Sequence, residues 1–364
     1  MKVLLLGDYS GLHLNLAQGL KMLNIDVTVA SNGDGWKDIP RNVDLKQPEK
    51  FKRIRFLTKL SKALPQLKGY DIVQLINPIF LGTHPWLNDL VFQFIKKHNQ
   101  YIFLGANGMD YYYCSYAMQG KLKHSVFQVP DIKDDPLIKQ HKQALNNKMW
   151  VQSNINVAKY AHGITACNVG YFMAYKAIYP DKTTHIPLPI DTSKYAFINN
   201  INKNTKAITF FIGKIKGRER RKGIDVIERN LLNLKQKYPH DVMIKTISNL
   251  PTAQYTKELN DSHVLCDQKY SYGIGMNALI GLSKGLITGS GADEEMYQLI
   301  GENKNRPIIN LNVSDNDMLN SFEKLIANKS KLREQAIASR NFAIKHHDTI
   351  KIAQEYIDFW KSKM

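Results

Sequence analysis

Cysteine is scarce: Cys114, Cys167 and Cys266 are the only three in 364 residues, and they lie far apart. A disulfide framework or a zinc site needs closely spaced pairs, so both are excluded, and a reducing cytosol suits the chain. No apolar run approaches the roughly 18 residues of a membrane-spanning helix. The N-terminus is apolar for only four residues before Gly7 and Asp8, which reads as a first strand and not as a signal peptide. Acidic residues are also short, with 32 Asp and Glu against 50 Lys and Arg, a net charge of +18. An anionic partner follows: nucleic acid, an anionic membrane leaflet or a phosphorylated small molecule. Zinc-finger and RNA-binding aromatic signatures are missing, which disfavours specific nucleic acid recognition. The first turn is Gly7-Asp8-Tyr9-Ser10-Gly11 and lacks the G-x-G-x-x-G pattern, and the second strand ends in Ala30-Ser31-Asn32 without an acid. A nicotinamide dehydrogenase is therefore disfavoured.

What is present is a globular composition, 43% hydrophobic and 23% charged, in a chain longer than one core usually supports. Two domains are expected. Short apolar runs alternate with helical periodicity: strands at 3–6, 25–30, 70–78, 101–104, 162–166, 208–212, 242–247, 264–266 and 286–288, and helices at 13–23, 48–64, 90–97, 150–160, 224–238 and 276–283. This is the α/β pattern of parallel sheets. Residues 121–149 are polar and read as an insertion or lid. Pro187 and Pro189 make 186–191 an extended crossing, the asparagine-rich stretch 197–206 reads as a linker, and residues 331–360 read as mainly helical.

Candidate functional residues fall at predicted strand ends. Gly273 and Gly275 precede the helix 276–283, whose free amides and positive dipole end suit a phosphate or diphosphate. Gly289-Ser290-Gly291 leads to Asp293, Glu294 and Glu295, carboxylates suited to sugar hydroxyls; both turns also fit an ordinary α/β sheet. The loop 213–223 holds six cations against one acid and would repel itself without a counter-anion, unless it is simply well solvated. In the first half, Gly11, His13 and Asn15 line a helix start, with His13 either facing a cleft or solvated. Asn107 and Asp110 follow a strand end, where open sheets hold ligands. Tyr111, Tyr112, Tyr113 and Tyr116 can stack on a sugar or pack as core. The stretch 48–64 is a basic amphipathic helix, with Phe51, Ile54, Leu57, Leu60 and Leu64 as its apolar positions. It lies on an anionic leaflet or packs on the sheet as an ordinary surface helix.

In their order and spacing these landmarks resemble a GT-B glycosyltransferase, closest to family 4 of the retaining enzymes that use nucleotide sugars, over essentially the whole chain. Residues 7–15 are similar to the family's first loop, and Ala106-Asn107-Gly108-Met109-Asp110 to its His-Gly-x-Asp segment. Residues 186–191 are similar to Pro-x-Gly-x-Asp. Gly213-Lys214 stands where the family has Gly-Arg, Lys222-Gly223 matches its Lys-Gly, and Gly285 falls on the glycine that closes the Glu-x7-Glu helix. Three positions depart from the pattern. Tyr272 and Ile280 replace the two motif glutamates, the second of which ordinarily holds the nucleotide ribose, and Asn107 replaces the histidine.

The resemblance implies two Rossmann-like domains facing a cleft: an acceptor domain at 1–195, a linker at 196–206, a nucleotide-sugar domain at 207–345 and a helix at 346–364 packing back on the first domain. It implies transfer of a sugar from a nucleotide-sugar donor to a lipid-linked or polysaccharide acceptor in bacterial surface glycan synthesis. The protein would be cytoplasmic and peripheral at the inner membrane face, with no cofactor and no metal. Lys214, Arg218 and Lys222, with the amides of Gly275, Met276 and Asn277, are the expected diphosphate cradle. Asp267, Gln268, Tyr272 or Asn277 would take over the ribose contacts. Glu295, and after it Glu294, would meet the donor sugar. Gly11, His13, Asn15, Asn107, Asp110 and Tyr111 would face the acceptor, with Asp110, His13 and Glu295 as the catalytic candidates. A retaining enzyme needs no general base, because the leaving diphosphate takes the proton; an inverting one would use Asp110. The alternatives are a non-catalytic nucleotide or glycan binder of the same fold and a sugar-nucleotide epimerase.

Overall fold

The computed structural model describes all residues except 49–51, 130, 131, 133, 199, 200, 202–204 and 249–251. Part of the expected linker (Asn199, Asn200, Asn202 and Asn204) and part of the start of the predicted helix 48–64, with its apolar Phe51, lie outside the described residues.

Two parallel sheets form. The first contains β1 (Lys2–Leu6), β2 (Asp26–Ser31), β3 (Val43–Asp44), β4 (Ile72–Leu75), β5 (Tyr101–Ala106), β6 (Gly163–Ala166) and β7 (Thr183–His185), in the order β3-β2-β1-β4-β5-β6-β7. The second contains β8 (Ile208–Lys214), β9 (Val242–Ser248), β10 (Val264–Cys266), β11 (Ile287–Ser290) and β12 (Ile309–Asn310), in the order β12-β11-β10-β8-β9. Val3 to Leu6 and Val264 to Cys266 are buried on both faces, which is why they appear in the sequence as unbroken apolar runs; Ile72 to Leu75 is equally buried, its run interrupted by Gln74. The strand order reverses between β1 and β4 in the first sheet and between β8 and β10 in the second. Such switch points open a crevice at the carboxyl ends of the strands.

The ends of the chain meet in the first unit. Helix Leu332–His347 packs on helix Met276–Ser283, after which the chain turns at Asp348 and enters helix Thr349–Lys361. That last helix lies against helix Leu12–Met22. The two backbones come so close that a Cβ on Gly19 would sit 2.1 Å from the Thr349 carbonyl oxygen. Thr349 donates its hydroxyl proton to the Asn15 carbonyl at 2.5 Å, and the indole of Trp360 donates to Gln74 Oε1 at 3.1 Å inside the core. The outgoing and returning crossings run side by side, with Ile190 N donating to His347 O at 2.8 Å and Thr349 N to Ile190 O at 3.1 Å.

Two expectations change. In helix Lys52–Ala63 the buried face is Phe56, Leu60 and Ala63, spaced four and three residues apart, whereas Ile54 is 76% exposed and Leu57 44% exposed. The apolar face read from the sequence thus splits into a core stripe and two solvent-facing residues. The insertion is also structured: it holds a 3-10 turn at Val126–Gln128 and helix Pro136–Leu145, whose start is capped by the Asp135 carboxylate.

Candidate functional site

The first unit's side of the site is built at the ends of β1 and β5. Asp8 accepts the amides of His13 at 3.2 Å and Leu14 at 3.2 Å, capping helix Leu12–Met22. His13 is fully buried, so it is not a solvated first-turn residue. Its Nδ1 lies 2.6 Å from the Gly7 carbonyl. A carbonyl only accepts, so Nδ1 carries the proton and Nε2 presents a lone pair, which has no partner among the described residues. Burial lowers its pKa to about 4, only partly countered by the Gly7 bond, so the ring is neutral. Asn107 is buried directly after β5, and neither of its side-chain polar atoms has a partner among the described residues. Asn15 is turned to the chain crossing, where it accepts from the Asp191 amide at 3.4 Å, and its own amide group donates to Gly11 O at 2.8 Å.

Asp110 caps helix Tyr111–Met118. Its Oδ1 accepts from Tyr113 N at 2.9 Å and its Oδ2 from the Tyr175 hydroxyl at 2.6 Å. Burial raises its pKa to about 6 against the pull of those bonds. Tyr112 is core, with its hydroxyl 2.8 Å from that of Tyr179, and Tyr111 is half-buried against it. The tyrosine cluster therefore packs mainly within the first unit.

Across the cleft, the basic loop between β8 and helix Ile224–Lys237 is less bare than its sequence suggests. Lys214 Nζ pairs with Glu228 at 2.7 Å, Lys222 Nζ with Asp267 at 3.1 Å, and Arg221 lies 3.1 Å from Asp135 of the insertion. The expected self-repulsion is thus met by three carboxylates that lie outside the loop. Arg218 is exposed. Gly275 begins helix Met276–Ser283 with no side-chain cap, so the first amides stay available. Met276 and Asn277 are half-buried there, and Asn277 Nδ2 donates to Asp267 Oδ1 at 2.9 Å.

Between the two halves, the insertion reaches over the second unit. The Tyr272 hydroxyl accepts from Lys123 N at 2.5 Å. Asp293 is buried and saturated: Oδ1 meets His124 Nε2 at 3.1 Å and Asn310 Nδ2 at 3.2 Å, and Oδ2 accepts from Asn312 Nδ2 at 2.6 Å. Burial alone would raise the Asp293 pKa, but the bonds from His124, Asn312 and Asn310 hold it below the usual carboxylate value. Glu295 is half-buried beside this network. Glu294 points to solvent in an ion pair with Arg306 at 2.6 Å, away from the other site residues.

Buried polar side chains are almost always hydrogen-bonded. Among the described residues, four exceptions follow strand ends at the mouths of the two sheets: His13 Nε2 after β1, Asn107 after β5, Asp267 Oδ2 after β10 and Ser290 Oγ at the end of β11. Each of these groups has capacity for one further hydrogen bond.

No family model matches the chain, and no curated protein matches it in sequence. Solved structures do match. Sucrose-phosphate synthase from Thermosynechococcus elongatus superposes with a TM-score of 0.61 at 12% identity, over 100% of this chain and 99% of that one. Anabaena HepE in complex with UDP and glucose gives 0.61 at 12% over 100% of both. WaaG, a glycosyltransferase involved in lipopolysaccharide biosynthesis, gives 0.59 at 12% over 98% and 99%. The chain has the GT-B fold.

Within this GT-B chain, the structure brings together Lys222, Asp267, Gln268, Gly275 and Asn277 around the ends of β8 and β10. His13, Asn107 and Asp110 stand at the first sheet. Sequence reading missed His124, Asp135 and Asp8. His124 and Asp135 sit in the polar insertion, whose composition gave no sign that it contacts the second unit. Asp8 did carry a signal, as an acid a few residues ahead of a helix start.

Proposed function

We propose that the protein is a glycosyltransferase that moves a sugar from a nucleotide-sugar donor to a lipid-linked or polysaccharide acceptor of a bacterial surface glycan. The observation that carries this reading is the set of unpartnered buried polar groups at both strand-end mouths, set beside Lys222 and an uncapped helix start. The structural neighbours include HepE with UDP and glucose and WaaG of lipopolysaccharide biosynthesis, which makes uridine diphosphate sugars the first donors to test. The proposed division places the acceptor domain at 1–195, the linker at 196–206, the donor domain at 207–345 and the returning helix at 346–364. Lys222, Arg218 and the amides from Gly275 to Asn277 would hold the diphosphate, with Lys214 released from Glu228 in support. Glu295 would meet the donor sugar, and Asn107, His13 and Tyr111 the acceptor.

We favour retention of configuration without metal. Asp110 already uses both oxygens, so it is poorly placed as a base, and the leaving diphosphate supplies that basicity. Exposed Ile54 and Leu57 on a basic helix support attachment at the inner face of the cytoplasmic membrane; among the described residues no helix is long and apolar enough to cross a membrane. A second reading, a non-catalytic nucleotide or glycan binder, is favoured by the pairing of Lys214 and Lys222 with the protein's own carboxylates.

A thermal-shift panel of UDP-, GDP- and other nucleotide sugars tests the proposal. A donor at a hundred times its dissociation constant should stabilise the protein by about 2.7 kcal/mol. Proton NMR of the product anomer then reports the stereochemistry. A flat panel removes the donor reading, and binding without transfer to any glycan acceptor selects the second one.

A further inference from the structure

The loop between β2 and β3 carries Trp36, which is 59% exposed. A single exposed apolar side chain is ordinary. The backbone that presents this one is not. Gly33, Asp34, Gly35 and Asp38 all have left-handed φ, at 74°, 55°, 69° and 45°. Glycine adopts that region freely, whereas aspartate does so at a cost. Such strain persists only where neighbouring contacts over-determine the conformation, and it gathers at ligand sites. Here the contacts are explicit. Asp34 Oδ2 accepts from Ser10 N at 2.8 Å and from Lys37 Nζ at 2.6 Å, and the same ammonium donates to Ser10 Oγ at 2.8 Å. Ile39 N donates back to Gly33 O at 2.9 Å, and Arg41 Nη1 to Asp38 Oδ1 at 2.9 Å. These bonds lock the loop to the turn after β1 and leave the indole in solvent.

β1 and β2 are parallel neighbours, so the loop opens on the same edge of the sheet as His13 and Asn107. Tyr9 fills the interval: its ring lies 3.1 Å from a Cβ built on Gly108, beside Asn107, and Ser10 follows it in the chain. Trp36 follows β2 and Asn107 follows β5, three strand spacings or about 14 Å apart. One sugar ring cannot span that distance, but a chain of them can. A Cβ on Gly35 would meet nothing within 4 Å, so a ring has room beside the indole. Sugar rings present a face of C–H groups and a rim of hydroxyls. The indole suits the face, and the carboxylate of Asp38, 65% exposed two residues further on, accepts from the rim. A lipid leaflet also takes exposed tryptophan. It would, however, draw the Asp38 carboxylate in among anionic head groups, so the surroundings of Trp36 favour a glycan.

We propose that Trp36 is a platform on which an outer sugar of an oligosaccharide acceptor stacks, while the sugar that reacts lies at His13 and Asn107. This assignment rests on the glycosyltransferase reading given above and narrows its acceptor to a glycan of several residues. The strained loop is what keeps the platform in place when no glycan is bound. In this role Lys37 and Asp34 are positioning residues.

The test is calorimetric titration of the full-length protein with maltohexaose, cellohexaose, chitohexaose and a galactan hexasaccharide, with the corresponding monosaccharides, and separately with UDP. At least one hexasaccharide should bind, and more tightly than its monosaccharide. Trp36→Ala should weaken that binding about tenfold or more, and Trp36→Phe, which keeps an aromatic face, should restore most of it. UDP should bind the wild type and both variants alike. Equal hexasaccharide binding by wild type and Trp36→Ala overturns the platform, as does binding to none of the four glycans. Loss of sedimentation with phosphatidylglycerol vesicles in Trp36→Ala, with no glycan bound by the wild type, makes the residue a membrane anchor instead. Binding of UDP without any glycan removes this proposal and leaves the donor reading standing; glycan binding through Trp36 without UDP does the reverse.

Discussion

A carboxylate whose two oxygens are both engaged cannot accept a proton from an incoming hydroxyl without giving up a contact, and Asp110 is in that position. Its burial has a second effect. Because burial raises its pKa from the ordinary 3.8 to about 6 in the folded protein, the folded state binds this proton more tightly than the unfolded chain does. The associated stability is complete below about pH 4 and fades as the pH rises through 6, leaving a cost on the order of 3 kcal/mol at neutral pH. Asp110→Asn keeps the cap acceptor and removes the charge. Its stability relative to wild type should therefore improve between pH 5 and pH 8, which urea denaturation at the two values measures. Asp110→Ala loses the cap and strands the Tyr175 hydroxyl, at about 2–4 kcal/mol. If Asp110 is a structural cap, Asp110→Asn retains most of the transfer activity; loss of transfer in a stable Asp110→Asn protein would restore it as the base.

Among the elements, helix Leu12–Met22 and helix Thr349–Lys361 make a close backbone contact. Gly19 lets helix Leu12–Met22 approach the Thr349 carbonyl, with Ala353 also within 2.9 Å of a built Cβ. Since backbone cannot rotate away, Gly19→Ala should push the helices apart and destabilise the protein by about 1–3 kcal/mol or more, read as a lower urea midpoint. A midpoint equal to wild type would mean that the returning helix is loosely held. Helix Met276–Ser283 was legible from its periodicity and β10 from its apolar triplet Val264-Leu265-Cys266, and both match residue for residue. β3, β7 and β12 were not, since two or three residues carry no periodicity. Helix Tyr111–Met118 was hidden by aromatic residues on every side. The partners of the basic loop were hidden for another reason: Asp135 and Asp267 lie far along the chain and Glu228 in the helix after the loop, and only the fold brings them to Arg221, Lys222 and Lys214.

At the scale of the whole molecule, the net charge of +18 and the outward face of helix Lys52–Ala63 act together. Ile54 and Leu57 can enter the interfacial zone of a leaflet while Lys59 and Lys62 stay with the head groups. Sedimentation with anionic vesicles should show binding that weakens with salt and drops at least tenfold in an Ile54→Glu, Leu57→Glu double variant. Equal binding to neutral vesicles, or an unaffected double variant, would assign the charge to the nucleotide cleft alone.

The side-by-side crossings at Ile190 and Thr349 have a bearing on how the protein is made. One side of the first sheet, with Val3, Leu5 and Phe103, is covered by Ile352, Tyr356 and Trp360. Ribosomes deliver those residues after both sheets. The second unit, whose own core runs from Ile201 to Ala336, has all its parts before they emerge. Synthesis from the N-terminus usually lets the first domain fold first. Here the order is inverted: the apolar face of the half translated first can be covered only after the second unit has been made, so that half should finish folding second.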